Sequence, residues 1–214
     1  MEILQEISEL LQRGRAPKVK ELVEQALEGG IKPQVILEDA LLSGMSIVGE
    51  KFRNNEVFVP EVLIAARAMN AGVAILRPRL VAEGITTKGI AVLGTVKGDL
   101  HDIGKNIVKM MLEGKGLEVI DLGVDVPAER FIEAAIERNA NVICCSALLT
   151  TTMGEMKEVV EQSKLAGIRD KVKIMIGGAP ITQAFCDEIG ADYFTADGAT
   201  AAEVALKICL GEAV

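Results

Sequence analysis

The amino-acid sequence predicts an α + α/β protein: a four-helix bundle followed by a doubly wound parallel sheet of five strands. Three observations carry that expectation. Half of the 214 residues are apolar, enough for a good core in one or two compact domains. Aromatic residues are scarce, with no Trp and one Tyr, while Ala, Val, Ile, Leu and Gly abound, which suits helices packed on a parallel sheet. The apolar pattern also changes along the chain, from helical spacing to short β-branched runs alternating with helical stretches.

Ile3, Ile7, Leu10 and Leu11 recur at helical spacing and open the first helix. Breaks at Gly14 and Gly29-Gly30 are followed by Pro17 and Pro33, each where a first-turn proline is tolerated. Val35, Leu37, Leu41, Leu42, Met45 and Val48 line a third helix, and a fourth starts at Pro60 and runs through Val62, Leu63, Ala66, Met69, Val73 and Leu76. These define a helical domain over residues 1–76. Pro78, Gly84 and paired threonines mark residues 77–88 as a linker. Strands are expected at 89–95, 117–122, 141–146, 172–176 and, more weakly, 193–195, so residues 89–214 form βαβ units with right-handed crossovers. That arrangement is a flavodoxin-like, Rossmann-type domain.

A formal net charge of −8 argues against a nucleic-acid partner, whose phosphates need a basic surface. The acidic N-terminus has no basic flank, and no run reads as a bilayer span, so a cytoplasmic protein with no membrane partner is expected. Cys144, Cys145, Cys186 and Cys209 form no CxxC pair and are expected as reduced thiols. One His and scattered Cys cannot build a structural zinc site.

In a parallel sheet, ligands bind beyond the carboxyl ends of the strands. The segments expected there are small and polar: Thr95 to Gly104, Ser146 to Thr152, Gly177-Gly178-Ala179-Pro180, and Ala196-Asp197-Gly198. No GxGxxG or GxxxxGK[ST] phosphate loop is among them. His101 can give one ring nitrogen to a metal while a carboxylate holds the other N–H, and Asp99, two residues earlier, is placed to be that carboxylate. A hydroxyl from the third-strand loop would complete a relay, and Gly104, Gly177 and Gly178 would let a bulky ligand approach the backbone. Taken singly, a His after a strand or a GG pair also fits an ordinary loop.

Asp99-Leu100-His101-Asp102-Ile103-Gly104, Ser146-Ala147-Leu148 and Gly177-Gly178 together resemble the DxHxxG, SxL and GG signature of cobalamin-binding proteins. The helical half, with Gly44 to Phe52 and Phe58 to Val62, is similar to the cap of methionine synthase and of methyltransferase corrinoid proteins, so the resemblance covers nearly the whole chain. It implies a corrinoid methyl carrier binding cobalamin or a related corrinoid such as methylcobalamin, with His101 as the lower cobalt ligand. The methyl group would be accepted on Co(I) and delivered from methyl-Co(III). Asp99, Asp102, Ile103, Gly104, Ser146, Leu148, Thr150, Thr152, Gly177, Gly178, Asp197 and Gly198 are the implied contacts in the α/β domain. Thr152 stands where methionine synthase has the Ser of the relay. Met45, Phe52, Val59 and Val62 are the implied cap contacts, and Val62 equally fits bundle core.

With no substrate domain visible, the implied partners are a substrate-specific methyltransferase, an acceptor methyltransferase using tetrahydrofolate or a thiol, and a reductive activator. Methylamine, methanol, betaine and methoxylated aromatics are the methyl sources the resemblance offers, and an O-demethylase or betaine system is the one favoured. Alternatives are a cobalamin-dependent sensor, which would carry a basic DNA-binding helix, and the small subunit of an adenosylcobalamin mutase, which needs no methyl-sized cap.

Overall fold

The computed structural model describes residues 2–84 and 87–213. Contacts divide it into two compact units, Met1–Thr87 with Gly114–Gly116, and Lys88–Glu113 with Leu117–Val214.

The first unit is helical. α1 (Glu2–Gln12) buries Ile7, Ser8 and Leu11, and α2 (Ala16–Glu28), with proline in its first turn, buries Val19, Leu22, Val23, Ala26 and Leu27. α3 (Pro33–Val35) passes through a π-helical segment (Ile36–Leu42) into α4 (Ser43–Arg53). Both junction residues, Ile36 and Ser43, keep right-handed helical angles, so the three pieces form one rod. Nothing in the apolar spacing signals the wider π turn, which buries Ile36, Ala40, Leu41 and Leu42. α5 (Val59–Ala82) opens with Pro60 and with Glu61 accepting the Phe58 N–H at 3.0 Å.

Two features of α5 depart from the sequence pattern. The helix continues through Pro78 into the stretch expected as linker, because Leu76 and Leu80 on either side are buried and their burial offsets one lost backbone hydrogen bond. Residues 85 and 86 of that linker lie outside the described residues. At 24 residues α5 is also long and apolar enough, by length and composition, to cross a bilayer, which corrects the expectation that no run could. Its Ala65, Ala66, Ala68, Met69 and Gly72 are buried, and Val19 and Leu41 close on Gly72, as on the core helix of a bundle.

The second unit holds β1 (Ile90–Thr95), α6 (Ile103–Gly114), β2 (Glu118–Asp121), α7 (Ala128–Arg138), β3 (Val142–Ser146), α8 (Gly154–Leu165), β4 (Lys173–Gly177), α9 (Gln183–Ile189), β5 (Tyr193–Phe194) and α10 (Gly198–Leu210). The strands are all parallel in the order β2-β1-β3-β4-β5, the flavodoxin-like order. β1, β3 and β4 are buried along most of their length, while β2 and β5 at the edges are half-buried. The core gathers Val92, Ile143, Ile174 and Ile176 from the sheet with Phe131, Met156 and Val160 from the helices. Gly94 makes room for Phe131, whose Cζ lies 2.8 Å from where a Cβ would stand. The thiols of Cys144, Cys145 and Cys186 are buried and unpaired, and burial pushes Cys144 up to about 12, so it is an inert core residue.

Two interactions fix the sheet's carboxyl end. Lys105 in the first turn of α6 is buried, and its Nζ lies 2.7 Å from Asp121 Oδ1 at the end of β2 and 2.8 Å from Asn106 Oδ1. Lys109 adds a contact to Asp121 at 3.3 Å, and the Gly123 N–H donates to it at 3.0 Å. Burial pushes the Asp121 carboxyl up, but Lys105, Gly123 and Lys109 outweigh it and hold the pKa below the ordinary 3.8. Gly178 follows β4 at φ +136°, and a Cβ there would fall on the Ala147 carbonyl oxygen.

A depressed folded-state pKa contributes stability above pH 3.8 that is lost as pH falls through it. Asp121→Asn is therefore expected to lower unfolding free energy by about 2 kcal/mol at neutral pH. In urea titrations the gap to wild type should close as pH drops below about 4; a pH-independent gap would contradict the ion pair. Gly178→Ala is expected to cost about 3 kcal/mol or more, through strain and the clash with Ala147, read as a lowered melting temperature of the cofactor-free protein.

Candidate functional site

The chain leaves β1 toward β2 on one side and later returns to β3 on the other, so a crevice opens between the ends of β1 and β3. The loop after β1 is tied down before it reaches α6. Val96 donates its N–H to Ser146 O at 3.0 Å, Asp99 donates to Val96 O at 3.1 Å, and Gly98 turns at φ +80°. Thr95, wholly buried at the strand end, donates its hydroxyl to the His101 carbonyl at 2.9 Å.

This places the Asp99 side chain in the crevice with no solvent exposure. Its Oδ1 accepts the His101 backbone N–H at 3.1 Å and lies 2.7 Å from His101 Nδ1. Its Oδ2 accepts the N–H groups of Leu148 at 2.7 Å and Leu149 at 3.1 Å, and the Thr152 hydroxyl stands 3.0 Å away. The same hydroxyl is 3.0 Å from Leu149 O, so its proton has two acceptors to choose between. Burial pushes the Asp99 carboxyl up, yet the N–H groups of Leu148, His101 and Leu149 and the His101 ring outweigh it and hold it well below the usual carboxylate range. An ionised Asp99 draws the ring proton to Nδ1 and leaves the Nε2 lone pair free. The His101 side chain is half exposed, so that lone pair is open to a ligand.

The other residues singled out by the sequence fall into three groups. Ser146 pairs with Thr95 and Gly177 across the sheet, Ala147 donates its N–H to Gly177 O at 3.2 Å, and Gly178 packs on Ala147, so SxL and GG meet beside the Asp99 loop. Around the mouth, Ile103, Gly104, Leu148 and Thr150 are exposed, and nothing lies within 4 Å of a Cβ placed on Gly104. Asp102 precedes α6 and its Oδ2 accepts from Asn106 Nδ2 at 3.2 Å, while Asp197 caps α10, accepting the N–H and hydroxyl of Thr200 at 2.8 and 2.7 Å. Gly198 is buried, with Ile107 and Val108 of α6 3.5 Å from its Cβ position. In the helical unit Met45 and Val62 are buried, and Phe52 and Val59 are half-buried.

The sequence pattern placed Thr95 at the strand end without giving it a role, and missed the amides of Leu148 and Leu149. A hydroxyl closing an otherwise apolar strand was the available signal for Thr95, whereas backbone donors leave no trace in side-chain identity.

Residues 89–206 match one B12 binding domain family and residues 3–77 a second B12 binding domain family. Over 212 residues the chain is 45% identical to dimethylamine corrinoid protein 1 of Methanosarcina mazei, covering 99% of this chain and 98% of that protein. It is 46% identical over 190 residues to trimethylamine corrinoid protein 1 of Methanosarcina acetivorans, covering 88% and 87%. Among solved structures, a chain of the methanol:cobalamin methyltransferase complex from Methanosarcina barkeri superposes with a TM-score of 0.88 at 33% identity, covering 98% of this chain and 80% of that one.

The residues present fit a corrinoid. Among the described residues no three His, Cys, Asp or Glu side chains gather to hold a bare metal ion. A single oriented imidazole suits a metal whose equatorial positions a macrocycle already fills, and the open space at Gly104 suits a bulky tail. With matches spanning nearly its whole length and a site whose chemistry fits the cofactor, this chain belongs to the B12-binding corrinoid protein family.

Proposed function

We propose that this corrinoid protein carries a methyl group within a methylamine methyltransferase system, with His101 as the lower cobalt ligand. The observation that carries the reading is the buried Asp99 carboxylate 2.7 Å from Nδ1 of a half-exposed His101. A corrinoid methyl carrier is what the family membership supports. The methyl source is drawn from relatives whose names specify dimethylamine and trimethylamine, and these favour a methylamine over the O-demethylase or betaine system that the sequence suggested.

When bound, the corrinoid supplies a cobalt centre that can take up and give up a methyl group. The chain's own residues position that centre. Asp99 holds the Nδ1 proton and so keeps Nε2 available, and Thr152 supports Asp99 from its other oxygen. Gly104, Ser146, Thr150, Gly177 and Gly178 are the proposed contacts of the nucleotide tail. The partners in this reading are a methylamine-specific methyltransferase, an acceptor methyltransferase using tetrahydrofolate or a thiol, and a reductive activator, all in the cytoplasm.

Mixing the protein with hydroxocobalamin, desalting and recording the visible spectrum tests the reading. Wild type is expected to retain stoichiometric cobalamin, and His101→Ala to retain less with an altered cobalt spectrum; identical spectra would overturn the ligand assignment. Gly104→Ala is expected to leave the melting temperature of the cofactor-free protein unchanged while weakening cobalamin retention about tenfold, the effect of about 1.4 kcal/mol of lost fit. Incubating the reduced holoprotein with dimethylamine-, trimethylamine- or methanol-specific methyltransferases and their substrates would identify the donor by which one methylates the cobalt.

A further inference from the structure

Asp125 lies between β2 and α7, outside every motif that the sequence singles out. Its φ is +54°, a left-handed conformation that L residues other than Asn and Asp adopt reluctantly. Among the described residues two other non-glycines share it, Asn55 and Asn139, and both sit just past helix ends, where such a turn stops the helix. Asp125 ends no helix, so its left-handed turn has another cause. The surrounding backbone imposes it: Thr95 donates to Gly123 O at 2.9 Å, Val126 donates to Thr95 O at 3.0 Å, and Val96 bridges Val126.

Held this way, Asp125 grips the dipeptide that carries the buried carboxylate from both sides. Its N–H donates to Asp99 O at 3.0 Å, and its Oδ1 accepts the Gly98 N–H at 2.7 Å. We propose that Asp125 is a positioning residue that fixes the Gly98–Asp99 backbone, and with it the placement of the His101 ring that would hold the metal. The side chain of Asp99 is anchored to the β3 loop, so a second anchor on its backbone leaves the loop no axis to turn about. Without the Asp125 carboxylate, Gly98 at φ +80° becomes a hinge, since glycine crosses that region at little cost. The proposal rests on His101 being the lower ligand.

The backbone turn and the carboxylate can be separated by substitution. Asp125→Asn keeps both an acceptor oxygen and tolerance of positive φ, whereas Asp125→Gly keeps the turn and removes the acceptor. Each full-length variant is loaded with hydroxocobalamin, the His-ligated fraction is read from the visible spectrum, and melting of the cofactor-free form is recorded. Asp125→Asn is expected to match wild type in both. Asp125→Gly is expected to melt at a slightly lower temperature than wild type while still folding, and to shift the equilibrium between ligated and free His101 about tenfold toward free, the factor for one charge-assisted hydrogen bond. A wild-type spectrum in Asp125→Gly, or an equal loss in Asp125→Asn, would overturn the proposal while leaving the lower-ligand reading intact. If the wild-type spectrum itself does not respond to His101→Ala, the lower-ligand reading fails and takes the proposal with it.

Discussion

A carboxylate removed from water must be neutralised or surrounded by donors, and Asp99 is surrounded. Most of the second unit's particular features serve that requirement. Two of the donors are backbone amides of the loop after β3, so the ends of β1 and β3 must lie side by side, and they do because strands are added on opposite sides of β1 before and after that point, with β1 and β3 parallel. The loop after β4 packs against the loop after β3, with Ala147 donating to Gly177 O and Gly178 letting the two backbones close on each other. The GG signature is thus explained first by packing against the carboxylate's donors, before any ligand is considered.

A second constraint sits one turn further along the chain. The first turn of α6 begins right after the His101 loop, so a helix that slid along the sheet would carry the loop with it. Lys105 prevents this by reaching Asp121 at the end of β2 with its charge almost wholly out of water. An ion pair of that kind contributes little net stability compared with a well-packed apolar pair, but its geometry is demanding, which suits a helix whose register matters. The site therefore rests on three anchors of different chemistry: a hydroxyl from Thr95, a buried carboxylate at Asp99 and an ion pair at Lys105.

What the sequence disclosed, and what it concealed, divides along a physical line. Strands buried on both faces read as apolar runs, and all five occur within about two residues of where the pattern put them. Asp99, His101 and Thr152 were identifiable because the chemistry resides in side chains, and the structure brings all three into contact. The Leu148 and Leu149 amides were hidden because any residue there offers the same donor. Asp125 was hidden for a related reason: its value depends on a backbone angle that neighbouring strands impose. The π-helical segment and the run of α5 beyond Pro78 reflect tertiary burial overriding local propensity, which spacing alone does not encode. Asp197, singled out by its place after β5, is engaged in capping α10, the ordinary employment of an aspartate before a helix.

The Asp99–His101 pair is unequal, and the inequality has a functional sense. His101 depends on Asp99 for its tautomer, since no other acceptor is within reach of Nδ1 among the contacts described. Asp99 does not depend on the ring to the same degree, because the His101 and Leu148 amides, the Leu149 amide and the Thr152 hydroxyl remain when the imidazole moves. Had the carboxylate relied on the ring alone, losing it would strand a buried charge at a cost of about 3–5 kcal/mol, and the imidazole could hardly leave. With these other donors in place, ring movement sacrifices a single hydrogen bond, on the order of 1.5–3 kcal/mol to a charged acceptor. If His101 is the cobalt ligand proposed above, it would need a support that stays intact whether the ring is bound or released, and the donors around Asp99 are arranged to be that support.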